Sequence, residues 1–407
     1  MGNLIKRVTG LAWENQSSAF LVALGHSGTH WIIGIIYIVL PFISKELRLS
    51  YAEAGGLITI FHVSAFLANA GSGIIVDITE RRIVIQCVAL ILGGLAFLGC
   101  AFSTDFLTLS MMIILVGITN NLWHPAAISF LSLKFPKNKG YALSVHSLGA
   151  NLGDTIAPLM VGSMLVWTSW NNVIVIGSTP VFLIAVWIAL VMSDVPNSSH
   201  KPRPSNSYGK NYFKDLAKMV KNRAILGLCL MSGFRSMTQN GLLVFIPLFL
   251  INVLGAGPIV LGLGIMAMQV AGLFAGPIAG ILSDTLGRKK IVLAGLFLTT
   301  VLTILSAFIS HVVLFIIIIS FLGFALFAVR PVIHSWLMDL TPDNLGGSAT
   351  SLLFATQSGL SALIPLGGGI IADIWGLNWV FLVLSVFILL GATLGIFITE
   401  SRARAEF

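Results

Sequence analysis

Twelve stretches of the chain stay apolar for about 20 residues, the length at which a helix crosses a bilayer. They are Ser18–Pro41, Ala52–Val76, Val84–Phe102, Phe106–Leu131, Tyr141–Leu165, Val173–Met192, Ile225–Leu250, Ile259–Leu282, Ile291–Ile309, Val312–Leu337, Gly346–Ile371 and Trp379–Ile398. Strands of a membrane barrel would be half as long and would alternate apolar with polar positions. The expected fold class is therefore an all-α membrane protein of twelve transmembrane helices. Most loops between the runs are short. From Asp194 to Asn222, however, the chain is rich in Pro, Ser, Asn and Lys, as a solvated linker is. It divides the chain into an N-terminal six-helix half (1–193), a linker (194–222) and a C-terminal six-helix half (223–407). The Tyr212–Lys221 part fits a short basic helix on an anionic leaflet as well as it fits plain linker. The first apolar run is too long for a cleaved leader, and no small-residue cleavage site follows it.

Composition excludes a soluble protein. Hydrophobic residues fill 57% of the 407 positions and charged residues 9%, where a water-facing domain carries about a quarter charged. The net charge of +8 does not point to nucleic acid, because the basic residues sit in short loops and form no stripe. With both termini cytoplasmic, nineteen of the 23 Lys and Arg fall on the inner side, including Arg81, Arg82 and Arg288 to Lys290, and seven in and beside the linker. The outer side holds only Lys45 and Arg48, and Arg235 and Arg330 lie within spans. The positive-inside rule then gives a multi-pass protein of a bacterial-type inner (plasma) membrane with both termini cytoplasmic. Cys87, Cys100 and Cys229 lie inside apolar runs without metal-ligand spacing, so they imply no disulfide framework.

The sequence repeats itself at an offset of 207 residues. Gly34 falls on Gly241, Gly55 on Gly262, Gly73 on Gly280, Asp77 on Asp284, Arg81 on Arg288, Gly140 on Gly347, Pro158 on Pro365 and Gly162 on Gly369, while His62 falls on Gln269. An even number of spans separates the copies, so the halves share one orientation. Parallel repeats of this kind are a transporter architecture with its site at mid-membrane. The segment Gly280-Ile-Leu-Ser-Asp284-Thr-Leu-Gly287-Arg288-Lys289-Lys290 resembles motif A of the major facilitator superfamily and lies where that motif belongs, between spans eight and nine. The first copy, Gly73 to Asp77 to Arg81, keeps the register but has Glu80 where the second has Gly287. The resemblance covers essentially the whole chain. It implies a secondary transporter working by alternating access, with Gly73, Asp77, Arg81, Gly280, Asp284, Gly287 and Arg288 forming a conformational latch. A tight basic turn is the plainer account of the same residues.

Ionisable groups at membrane depth are costly and mark function by default. The first half carries His26, His30, His62, His124, His146 and Asp154; the second carries Arg235, Arg330 and His334. In the superfamily, spans one, four, seven and ten line the central cavity, which places His26, His30, His124, Arg235 and Arg330 on cavity helices. Any one histidine could simply bond a neighbouring helix, but five in one half make proton handling the better reading, with His30 and Asp154 foremost because both lie near mid-membrane. His26 and His30 have the spacing of a metal pair, yet no glutamate follows His26 and no carboxylate or cysteine stands beside the pair in sequence, so no metal is expected. Arg235 and Arg330 present planar donors suited to carboxylate or phosphate. With Asn151, His124 and Gln269 they are the candidate substrate contacts, and their charge favours an anionic or zwitterionic organic solute.

Gly25-His26, His124-Pro125-Ala126, and Gly149-Ala-Asn151-Leu-Gly153 followed by Ala157-Pro158 resemble the fosmidomycin-resistance-type branch, whose members resemble drug:proton antiporters and whose namesake substrate is a phosphonate. Ala157 replaces the glycine of the antiporter motif, and Arg330-Pro331 is not part of the branch's pattern. Efflux is favoured modestly over uptake. Proton symport of an organic anion, histidine-lined transport of a metal or metal chelate, and a transporter-like sensor are the alternatives. No nucleophile–base set recurs at a loop, so an enzyme is not expected. No cofactor is expected either; the expected partners are the solute, protons and the lipid bilayer, with the chain a monomer and no nucleic acid bound.

Overall fold

The structure is a computed structural model that describes residues 16–192, 221–341 and 346–398. Residues 193–220 of the linker, both chain ends and the side chains of Gly73 and Asp77 lie outside the described set. Among the described residues the chain forms twelve helices: α1 Ser17–Glu46, α2 Tyr51–Thr79, α3 Arg82–Cys100, α4 Phe106–Lys134, α5 Lys139–Met164, α6 Trp170–Val191, α7 Arg223–Asn252, α8 Pro258–Leu286, α9 Arg288–Ser306, α10 Val312–Leu340, α11 Gly346–Trp375 and α12 Leu377–Phe397.

The chain is thus an all-α, twelve-helix membrane protein. Eleven of the helices are long and apolar enough to cross a membrane; α5 is not among them. Its 26 residues suffice in length, but His146, Asn151, Asp154 and Thr155 interrupt the apolar run. Polar residues are expensive in lipid, so α5 is the helix least suited to face it. Several helices outrun their predicted spans. The first apolar stretch ends at Pro41, and α1 continues to Glu46. A proline inside a membrane helix is tolerated where neighbouring helices and local adjustments satisfy the freed carbonyl. Polar side chains start other helices. Asp105 caps α4 by accepting the Thr108 N–H at 2.9 Å, which holds its carboxyl below the usual carboxylate range. Asn222 accepts the Ala224 and Ile225 N–H groups at the start of α7.

Two compact units form. One comprises 1–49, 60–200 and 257–266; the other comprises 50–59, 201–256 and 267–407. In the first, α1 packs on α5 and α6, and α3 on α4 and α6; in the second, α7 packs on α11 and α12, and α9 on α10 and α12. These pairings are equivalent at the offset of the sequence repeat. The segments exchanged between units obey it too. In the second unit Gly55 lies so close to Pro365 that an added Cβ would meet its carbonyl at 1.9 Å; in the first, Gly262 stands likewise to Pro158, at 2.4 Å. Asp373 fixes the Gly55 segment further, accepting the N–H groups of Tyr51 and Ala52 at 2.8 and 2.9 Å. A carboxylate there also complements the positive end of α2.

The repeat extends to backbone conformation. Gly255 and Gly287 adopt positive φ, 62° and 96°, and the equivalent positions in the first half, Arg48 and Glu80, do so at 54° and 55°. Glu80 therefore keeps the left-handed turn although its copy of the motif has no glycine there. That costs about 1–2 kcal/mol in a residue with a Cβ.

In the second unit a ring cluster of Phe249, Phe315 and Phe381, with centroids 5.0–6.1 Å apart, ties α7, α10 and α12 together, and all three are fully buried. The exposed apolar side chains, Leu190, Ile281, Phe321 and Trp167 among them, cover the outside as lipid requires.

Candidate functional site

A run of small residues on α5 builds the first site. Gly149, Gly153 and Ala157 recur every fourth position and so share one face. A Cβ at Gly149 would lie 1.9 Å from the Ala23 carbonyl oxygen; one at Gly153 would lie 2.6 Å from the Ser27 carbonyl oxygen and 3.0 Å from the His30 Cβ; Gly34 of α1 meets Ala157 in the same way. The α1 and α5 backbones therefore approach as small-residue faces in membranes allow.

That approach sets four imidazoles and a carboxylate together within the first unit. His30 Nδ1 lies 3.0 Å from both oxygens of Asp154, and each side chain is about a third exposed, at 29% and 30%. His26 donates from Nδ1 to the His146 carbonyl at 2.8 Å, and its ring stacks on that of His146 with centroids 3.8 Å apart. It also meets His30 and His124 edge-on, at 4.8 and 5.0 Å. His124 of α4 donates from Nδ1 to the Asn120 carbonyl at 2.9 Å. The protons on Nδ1 are assigned from these acceptors. His26 Nε2 and His146 Nδ1 are buried without a hydrogen-bond partner. A carboxylate at membrane depth costs about 2.5–3.5 kcal/mol on insertion scales, and the imidazole beside Asp154 offsets part of that. His30 is its partner.

The remaining candidates divide. His62 stands apart from the cluster, its Nε2 3.4 Å from the hydroxyl of the buried Tyr37. Asn151 is exposed on α5, and Gln269 is half-buried on α8.

Arg235 lies in the second unit, 2% exposed. Its Nε donates to the Leu326 carbonyl at 3.2 Å, and an Nη donates to Gln239 Oε1 at 2.6 Å. Among the described residues it makes no ion pair. Arg330 and His334, one turn apart on α10, lie close enough to interact with it electrostatically. The result is a buried cationic group with neutral hydrogen-bond partners. Gln239 did not enter the sequence-based set, although its place four residues after Arg235 puts both on one helix face. The Tyr37–His62 contact joins two helices and left no trace in spacing.

Of the latch residues, Arg288 pairs with Asp284 at 2.5 Å and with Asp339 at 3.3 Å, and donates to Ser283 Oγ at 2.6 Å, joining α8, α9 and α10 at one end of the second unit. Gly287 supplies the left-handed turn between α8 and α9. A Cβ at Gly280 would meet nothing within 4 Å among the described residues. Arg81 is exposed as the N-cap residue of α3, while Arg82 beside it is buried, donating to Ser129 Oγ at 2.8 Å.

Comparison with known proteins agrees with this architecture. The family model described as Major Facilitator Superfamily matches residues 22–268 and 228–406. The fosmidomycin resistance protein of Escherichia coli is 21% identical over 94% of this chain and 92% of its own length. A probable metabolite transport protein of Bacillus subtilis is 23% identical over 91% and 88%. A solved bacterial homologue of the human lysosomal transporter Spinster superposes with a TM-score of 0.83 at 16% identity, covering 94% of this chain and 96% of that one. A nucleoside transporter superposes at 0.77 with 12% identity, covering 94% and 99%.

Proposed function

The chain belongs to the major facilitator superfamily, a secondary transporter of small organic molecules with a transport fold and not an enzyme's, and from that premise we propose that it moves an anionic or zwitterionic solute coupled to protons, as an efflux exchanger. The observation that carries the proton reading is the His30–Asp154 pair at 3.0 Å, about a third exposed and joined to three further imidazoles. Such a pair is neutral overall when it holds a proton and carries one carboxylate charge when it gives the proton back, a charge the neighbouring imidazole N–H stabilises. The charge of the solute follows from Arg235. A buried guanidinium with neutral partners is an expensive arrangement, and a carboxylate or phosphonate supplies the missing counter-charge. Arg330 on the adjoining turns of α10 adds a second planar donor, with Asn151, His124 and Gln269 as further contacts. Export is favoured because relatives carry names of resistance and efflux, fosmidomycin resistance among them.

Three outcomes are expected. Arg330→Lys keeps the charge but loses the planar fork, so solute affinity should fall on the order of tenfold in equilibrium binding, with insertion unchanged; unaltered affinity removes Arg330 from the binding site. Asp284→Asn should slow turnover several-fold more than it weakens binding, because it loosens the Arg288 network and not the solute contacts; equal loss of both means the latch role is wrong. Orientation is read by cysteine labelling. Cys87, Cys100 and Cys229 are buried, so Thr104→Cys and Ser207→Cys report cleanly. Thr104→Cys should label from outside intact cells and Ser207→Cys only after permeabilisation, placing the linker and both termini in the cytoplasm. Labelling of Ser207→Cys from outside reverses the assignment. The transporter is proposed to work as a monomer.

A further inference from the structure

The imidazole cluster has a property that proton handling does not require. One ring nitrogen from each of His26, His30 and His124 lies within 4.8 Å of the other two. Each ring is also held at Nδ1 by an oxygen: the His146 carbonyl for His26, the Asp154 carboxylate for His30 and the Asn120 carbonyl for His124. A carbonyl oxygen can only accept, and so can an ionised carboxylate. Nδ1 must therefore carry the proton in all three neutral rings. The nitrogen left on each is Nε2 with its lone pair, and on His26 that atom is buried and has no hydrogen-bond partner. Three acceptors with no donor among them lack a cation.

The geometry points to a binding site for a first-row divalent transition-metal ion, of the zinc and cobalt class, formed by Nε2 of His26, His30 and His124 with Asp154 as the carboxylate that orients His30. Imidazole nitrogens suit these metals and not calcium or magnesium, which take oxygen. A carboxylate or carbonyl on the far nitrogen of each ligating histidine is the usual outer support, fixing tautomer and ring direction and raising basicity. Here all three ligands have one. Nitrogens about 2.1 Å from a tetrahedral ion sit about 3.4 Å apart, so ring nitrogens that lie up to 4.8 Å apart must close in by up to about 1.4 Å. His30 and His124 are only partly buried and can turn, while His26 is fixed between His146 and its neighbours. Three protein ligands leave a fourth position open to water or to an oxygen of a bound solute, as in sites that exchange their ligands. From their spacing alone no metal was expected at His26 and His30; the third ligand comes from another helix, 94 residues on from His30 in the sequence.

The site rests on the same cluster as the proton reading but not on proton coupling, and its test uses metal alone. Purified, untagged, full-length protein in detergent is titrated with cobalt(II) at mildly alkaline pH and followed by its visible absorption. One ion per chain with the intense bands of low-coordinate nitrogen ligation is expected, displaced by zinc and untouched by calcium or magnesium. His26→Gln and His124→Gln should each weaken binding at least tenfold. Asp154→Asn should weaken it by about ten- to a hundredfold, the usual cost of losing an outer partner, and His311→Gln, remote on an exposed helix cap, should leave it unchanged. Wild-type protein without these bands, or bands that survive in a His26→Gln, His124→Gln double variant, overturns the site. Should that double variant elute aggregated, protection of the partly exposed His30 and His124 of the wild type from diethyl pyrocarbonate by zinc decides instead, and its absence overturns the site equally. Loss of the metal site would leave proton-driven solute movement standing, and the reverse also holds.

Discussion

Asp154→Asn should abolish solute movement driven by a pH gradient, a fall on the order of a hundredfold or more, as loss of a positioned acid–base group brings, while solute binding changes little. Asparagine has nearly the shape of aspartate, and its amide oxygen can still accept from His30 Nδ1. The α1–α5 contact, set by Gly149, Gly153 and Ala157, does not depend on the carboxylate, so the fold should survive. What disappears is a group that can be charged in one step of the cycle and neutral in another. Binding is retained because the proposed anion contacts, Arg235 and Arg330, lie in the other unit. The readouts are therefore two: gradient-driven transport in proteoliposomes, and equilibrium binding on the same preparation. A variant that still concentrates or expels solute against its gradient would leave Asp154 as a structural partner of His30 and no carrier.

Gly153→Val should reach the same functional endpoint by another route. The new Cβ would fall 2.6 Å from a backbone oxygen, that of Ser27, which cannot rotate away as a side chain can. Relief requires α1 and α5 to separate, at a cost of about 1–3 kcal/mol, as for overpacking in a close-packed core. The separation also draws His30 from Asp154, since the His30 Cβ is the next atom met, at 3.0 Å. Transport should fall to background, and the thermal unfolding midpoint should drop by several degrees. At Gly140 on the same helix, which is exposed, an added Cβ would meet nothing within 4 Å, so Gly140→Val should leave both unchanged. If Gly153→Val matches the wild type in stability and transport, the small-residue face does not position the site.

The helices, their number and the repeat were legible because lipid imposes one rule on every span: apolar side chains outside and all backbone hydrogen bonds within. Glu80 shows what sequence hides. Its copy of the motif lacks a glycine yet keeps the left-handed turn, because the surrounding repeat fixes the backbone and the residue bears the strain. For the site, residue types were legible and partnerships were not. His30 and Asp154 were both singled out as intramembrane ionisable groups, but their pairing depends on the crossing of α1 and α5. The distance to His124 depends further on α4. Gln239 was within reach, since it lies one turn from Arg235 on the same helix. Tyr37, the partner of His62, was not, because nothing in spacing links residues on two different helices.

The central claim is that protons drive this transporter through the first-half cluster. Wild-type protein reconstituted into sealed vesicles containing a pH-sensitive dye tests it most directly. A panel of anionic and zwitterionic solutes, phosphonates included, is offered with a pH gradient imposed in either direction, with a sodium gradient, and with neither. The account predicts that at least one such solute moves protons opposite to itself, that reversing the pH gradient reverses the solute, and that sodium is without effect. Solute movement that ignores the pH gradient and follows sodium would contradict it.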